Sequence, residues 1–272
     1  MNRIEKPARG TVERWCYDFV VVDVLTAKLS PPPPPAAWCD APEALRVAAP
    51  GRPACFRVVT RSAKTPTRAA LRDPAARGKL LHTFLHHELQ AAELFAWAVL
   101  AFPETPQAFR RGLVRLALEE LEHLTLYRDR LAANGQQVGD FAVRDWFWSR
   151  VGACRDATGF VAILGLGLEG ANLEHAARFA EWFRAAGDDA TADVLQRVER
   201  EEVGHVAFAC EWFERLTGAP LSYDAFRRAL PAPLSPALFA GRPLNRAARL
   251  AAGFDAPFLE RLAAAPPAHV PR

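Results

Sequence analysis

Two stretches of the chain repeat one chemical pattern. Glu119-Glu120-Leu121-Glu122-His123-Leu124 aligns with Glu201-Glu202-Val203-Gly204-His205-Val206, so Glu120 and His123 correspond to Glu202 and His205. On a helix, Glu-x-x-His sets both side chains on one face, one turn apart, where they can grip the same ion. Upstream, Glu88-Leu89-Gln90-Ala91-Ala92-Glu93 aligns with Glu169-Gly170-Ala171-Asn172-Leu173-Glu174. The separations nearly match, at 32 residues (88 to 120) and 33 residues (169 to 202). Two divalent cations carry the four charges that balance four carboxylates, and neutral imidazoles complete such shells. Two like half-sites at one offset predict a pseudo-twofold dinuclear centre.

A lone Glu-x-x-His is common on solvated helices. Here, however, the polar residues fall inside apolar stripes. Phe109, Leu113, Leu116, Glu120, His123 and Tyr127 follow steps of three and four, the spacing of one helical face. Val194, Val198, Glu202, His205, Ala209, Trp212 and Leu216 repeat it. Leu81, Phe84, Glu88, Ala91 and Phe95 form a third stripe, and Leu166, Glu169, Leu173, Ala176 and Phe183 a fourth. An unpaired ionised carboxylate in such an interior costs several kcal/mol. The pattern therefore calls for cations.

The elements that must position these groups follow from proline. Eleven of the 22 prolines lie in residues 1–75, including the run Pro31–Pro35, and nine lie in 217–272. Between them only Pro103 and Pro106 occur. Proline is expelled from helix interiors, so the centre reads as long helices and the flanks as extended arms with short helices. Turn signals at Thr105-Pro106, Asn134-Gly135, Gly187-Asp188 and Thr217-Gly218 set helices over about 77–102, 106–134, 157–186 and 189–217. Thr105 is expected to cap the second helix, with Pro106 at its first position. The expected fold is all-α: a four-helix bundle with one long middle connection, 135–156, in the ferritin-like arrangement. The expected organisation is an N-terminal proline-rich arm over 1–75, the bundle over 76–217 and a C-terminal arm over 218–272, packed as one unit. The run Phe19–Leu25 fits either a strand or a buried helical turn.

The repeat alone does not choose Glu88 over Glu93, or Glu169 over Glu174. Reflection about the turn near 104–105 sets Glu88 opposite residue 121, between Glu120 and His123, and Glu93 too close to the loop. The same test is equivocal for Glu169 and Glu174, where the stripe and the match to Glu88 favour Glu169. Glu93 and Glu174 are then groups behind or beside the ligands. Glu119 and Glu201 each precede a ligand histidine by four residues, placed either to accept its second N–H or to face solvent. Tyr127 lies one turn beyond His123, as a core residue or a wall of the metal pocket. Ala209 holds the equivalent place after His205, a smaller residue that would leave room for substrate or dioxygen. His82, His86 and His87 are expected at exposed or capping positions, and His175 is uncommitted. Trp146-Phe147-Trp148 is expected to pin the middle connection to the bundle.

Composition limits the remaining classes. Half the chain is apolar and 24% is charged, which excludes wholesale disorder. A formal charge of +3 is too small an excess for a dedicated nucleic-acid binder. No apolar stretch approaches a membrane span, and the N-terminus carries no apolar leader. Five widely spaced cysteines, Cys16, Cys39, Cys55, Cys154 and Cys210, suit neither a disulfide framework nor a zinc knuckle and point to reduced thiols in a cytoplasm.

The chain resembles the bacterial ferritin-like proteins catalogued as domain of unknown function 455. The likeness rests on HHELQAAEL (86–94), FPETPQAFRRGL (102–113), EELEHLTLY (119–127), GDFAVRDWFW (139–148), LGLEGANLEHAARF (166–179), FRAAGD (183–188) and EEVGHVAFACEWF (201–213). The arms WCYDFVVVDVLTAKLSPPPPP and LPAPLSPALFAG also look like that family. The resemblance implies a di-iron-type site at Glu88, Glu120, His123, Glu169, Glu202 and His205, with no departure at those six positions. A more distant similarity is to bacterial tRNA hydroxylases. The leading expectation is a non-haem oxidoreductase with two iron ions, or manganese in their place, acting on a small molecule with dioxygen and an electron donor. A monomer or homodimer off the membrane fits that role. Alternatives are a ferroxidase or iron store, a tRNA-modifying hydroxylase using a basic face of Arg110, Arg111, Arg115, Arg128 and Arg130, and a non-catalytic metal-binding bundle.

Overall fold

The computed structural model describes residues 6–61 and 65–266, and the protein is all-helical, with no strand among the described residues. It divides into two compact units, Met1–Thr65 with Pro74–Ala153, and Pro66–Asp73 with Cys154–Arg272.

The first unit is built on two long antiparallel helices, α3 (Pro74–Ala101) and α4 (Gln107–Ala133). The Asn134 amide at the end of α4 donates to the Pro74 carbonyl at the start of α3, at 2.7 Å. The turn between them departs from expectation. Pro106 itself occupies the cap position, and the Thr105 hydroxyl donates back to the Phe102 carbonyl at 2.7 Å. The N-terminal arm supplies α1 (Val12–Val21) and α2 (Leu25–Leu29). The run Phe19–Leu25 is therefore no strand. It finishes one helix and opens the next, and Phe19 and Val20 are buried. After α4 a connection leads to α5 (Trp146–Val151), which packs on α3.

The second unit repeats the hairpin. A short helix α6 (Ala157–Phe160) runs into a nine-residue π-helical segment, Val161–Glu169, and on into α7 (Gly170–Ala185). The reading 157–186 as one helix is thus corrected in its first half, where the chain winds wider than an α-helix. α8 (Asp189–Thr217) returns antiparallel. Gly187, at φ 82°, makes the tight turn, and the Asp188 carboxylate accepts the Thr191 N–H to cap α8. The C-terminal arm adds α9 (Tyr223–Ala229), α10 (Arg246–Ala251) and α11 (Ala256–Ala264). Phe226, Phe239, Phe254 and Phe258 form its buried aromatic cluster, with ring centroids 4.8–6.3 Å apart.

Candidate metal centre

In the first unit Glu88 projects from α3, and Glu120 and His123 from α4. Each offers a donor atom within 4.8 Å of the others. All three are buried, at 5% exposure or less. His123 Nδ1 lies 3.6 Å from Glu120 Oε2 and 3.9 Å from Glu88 Oε2. Donors bound about 2.1 Å from a common cation stand roughly 3–4 Å apart, so this spacing suits a shared ion. Burial and the charge of Glu120 push the Glu88 carboxyl well above its usual range, against the pull of His123. Two carboxyls forced together out of water are a poor arrangement for the bare protein and a good one for a cation.

The second unit holds the matching trio. Glu169 closes the π-helical segment, and Glu202 and His205 come from α8. Their donor atoms also lie within 4.8 Å of one another, and all three are buried. His205 Nδ1 stands 3.2 Å from Glu202 Oε2. Asn172 donates from Nδ2 to Glu202 Oε1 at 3.0 Å, steadying that carboxylate. Sequence reasoning missed Asn172; its sign was an asparagine inside a helix, one turn after Glu169, where the first half has Ala91.

The two neighbouring glutamates are satisfied by organic cations. Glu93, fully buried, meets Lys28 Nζ at 2.9 Å, Arg52 Nη1 at 2.5 Å and the Trp148 indole N–H at 2.9 Å. Burial pulls Lys28 below its usual range, against the pull of Glu93. Glu174 receives Arg249 Nε at 2.7 Å and the Asn245 N–H at 2.9 Å. In each unit, then, an arm delivers cations to the glutamate five residues beyond Glu88 or Glu169. Lys28, Arg52 and Arg249 were not foreseen, because nothing local marks a cation that is to meet a distant carboxylate.

The other singled-out residues divide clearly. Glu119 and Glu201 lie on the water side, where Arg115 stands 3.5 Å from Glu119 and Arg197 donates to Glu201 at 2.8 Å. Tyr127 is buried against the Phe84 ring, centroids 5.5 Å apart. The small side chain of Ala209 is used for packing. Gly165 approaches so closely that a Cβ there would meet the Ala209 Cβ at 2.5 Å, so the expected room beside Ala209 is taken by backbone. His175 is exposed on α7.

The expectation of exposed histidines is corrected for two of three. His82 accepts the Gly139 N–H at 2.9 Å, and His86 faces Asp145 at 3.3 Å; both are buried. The chain after α4 folds back over α3 and covers them. His87 is half-buried and stacks on Phe147, centroids 4.8 Å apart. Trp148 anchors the middle connection through Glu93. The five cysteines are free thiols. Among the described residues no helix is long and apolar enough to cross a membrane.

Fold and site together define an all-helical protein with buried carboxylate–imidazole clusters that could hold metal. The family described as "Protein of unknown function (DUF455)" matches residues 21–260, and the chain belongs to it. It is 28% identical over 145 residues to an uncharacterized protein of Haemophilus influenzae, covering 50% of each chain. The chain thus spans about half the length of that curated relative. No solved structure matches.

Proposed function

We propose that the protein is a ferritin-like oxidoreductase in which the two trios hold two iron ions as one dinuclear centre. The observation that carries this reading is the duplication of one donor set, two carboxylates and one imidazole, in buried positions. Hard carboxylate oxygens with imidazole nitrogens suit iron or manganese. Such a metal pair supplies the redox chemistry that dioxygen requires. The chain's own part is to hold six donors away from bulk water and to keep competing glutamates neutralised by Lys28, Arg52 and Arg249. The substrate class is a small molecule, with dioxygen as oxidant and a separate electron donor. The acting form is a monomer or homodimer, and the free thiols suit a reducing cytoplasm. Against a nucleic-acid face, Arg110 is buried on Glu13 at 3.0 Å rather than displayed.

Metal analysis of protein purified without chelators tests the reading. Two iron equivalents per chain, magnetically coupled, with absorption that changes when the reduced protein meets air, are expected. One uncoupled ion would break the dinuclear assignment, and no metal would end it. A very large hollow assembly on size exclusion would favour iron storage instead.

A further inference from the structure

Glu169 ends the π-helical segment and Gly170 begins α7, so the backbone changes its winding beside a candidate ligand. Arg249, on α10 of the C-terminal arm, reaches this junction. Its Nε donates to Glu174 Oε1 at 2.7 Å. Its Nη2 donates to Glu174 Oε2 at 2.8 Å, to the Gly170 carbonyl at 2.8 Å and to the Phe239 carbonyl at 3.0 Å. The side chain is 1% exposed. A Cβ on Gly170 would stand 3.4 Å from Arg249 Nη1, an ordinary van der Waals contact, which shows how closely the guanidinium lies against the helix.

Where π winding gives way to α, backbone carbonyls change partners from i+5 to i+4. A rigid guanidinium bonded to the carbonyl just past Glu169 holds that change of winding at one residue. A lysine has the charge but not the planar fork needed to span two carbonyls and a carboxylate. We infer that Arg249 is a positioning residue for Glu169: the C-terminal arm fixes the π-to-α junction, and with it the aim of the Glu169 carboxylate, while keeping Glu174 neutralised. This rests on the reading of Glu169 as a metal ligand.

Two variants of the full chain test it, Arg249→Lys and the double variant Arg249→Gln with Glu174→Gln, which strands no buried charge. The probes are Co2+ alone, followed by visible absorption, and amide hydrogen exchange. Both variants should keep wild-type exchange in α3 and α4 yet exchange faster over 161–174. Both should bind Co2+ about tenfold or more weakly, the effect expected when a group supporting a ligand is lost, and with an altered spectrum. If Arg249→Lys does not fold, the double variant carries the test. Wild-type exchange over 161–174, or wild-type Co2+ affinity and spectrum, would overturn the inference alone. Failure of the unaltered protein to take up Co2+ would overturn the metal reading and this inference together.

Discussion

The Lys28 ammonium lies 2.9 Å from the Glu93 carboxylate, with neither side chain exposed. Arg52 meets the same carboxylate, so two cations share one anion. Removing the anion strands the sealed Lys28, while Arg52 keeps Asp145 at 2.9 Å; removing Lys28 leaves Arg52 on Glu93. Glu93→Gln is expected to cost about 3–5 kcal/mol in urea unfolding, the range for breaking a buried pair. Lys28→Met should cost clearly less. Equal losses would show that Arg52 does not compensate.

Metal should reverse the sign of a mutation at Glu120. In the metal-free protein this carboxyl crowds Glu88 and helps raise its pKa. Glu120→Gln should stabilise that form by on the order of 1 kcal/mol, a melting shift of about 2–4 °C. In metal-loaded protein the same variant should melt lower than wild type. Calorimetry with and without Fe2+ under anaerobic conditions reads both, and a change of one sign in both forms would refute the shared site.

Burial and the neighbouring His86 hold the His82 imidazole down at about 4, against the pull of Asp140. An unfolded histidine titrates near 6.5. Its folded pKa is the lower one, so the unfolded chain binds the extra proton first. The stability contributed by neutral His82 is complete above about 6.5 and is lost as pH falls through about 4. Metal-free wild type should therefore lose stability over this window more steeply than His82→Gln, which keeps an acceptor for Gly139. Parallel profiles would exclude His82 as the source.

Gly165 and Ala209 make a paired test of packing. Gly165→Ala would force two Cβ atoms to 2.5 Å. A cost of about 1–3 kcal/mol is expected, as for other overpacked sites. Adding Ala209→Gly should recover most of it, and a double variant no better than the single one would place the strain elsewhere.

Much of the helical frame was legible in the sequence. Proline exclusion and the glycine turns placed the helix over 189–217 at its observed limits and the others within a few residues. The stripe logic brought each Glu-x-x-His onto a buried face, because a 3.6-residue period is local information. Glu174 was harder to distinguish from Glu169. Glu174 pairs with Arg249, 75 residues further along, and no local pattern records such a meeting. The π-helical winding of Val161–Glu169 was also hidden. Its apolar residues satisfy several periods at once, and the close approaches of Gly165 to Ala209 and Gly167 to Phe239 are tertiary contacts that no local period records. His82 and His86 were misplaced because their cover comes from a connection whose path the helical pattern does not specify.

The cations that quiet Glu93 and Glu174 come from beyond the two hairpins, from Lys28 and Arg52 on one side and Arg249 on the other. A chain trimmed to 76–217 would keep every donor of both trios yet lose all three cations that pair with Glu93 and Glu174. Minimal versions of this protein should accordingly be sought by shortening loops, with both tails left whole.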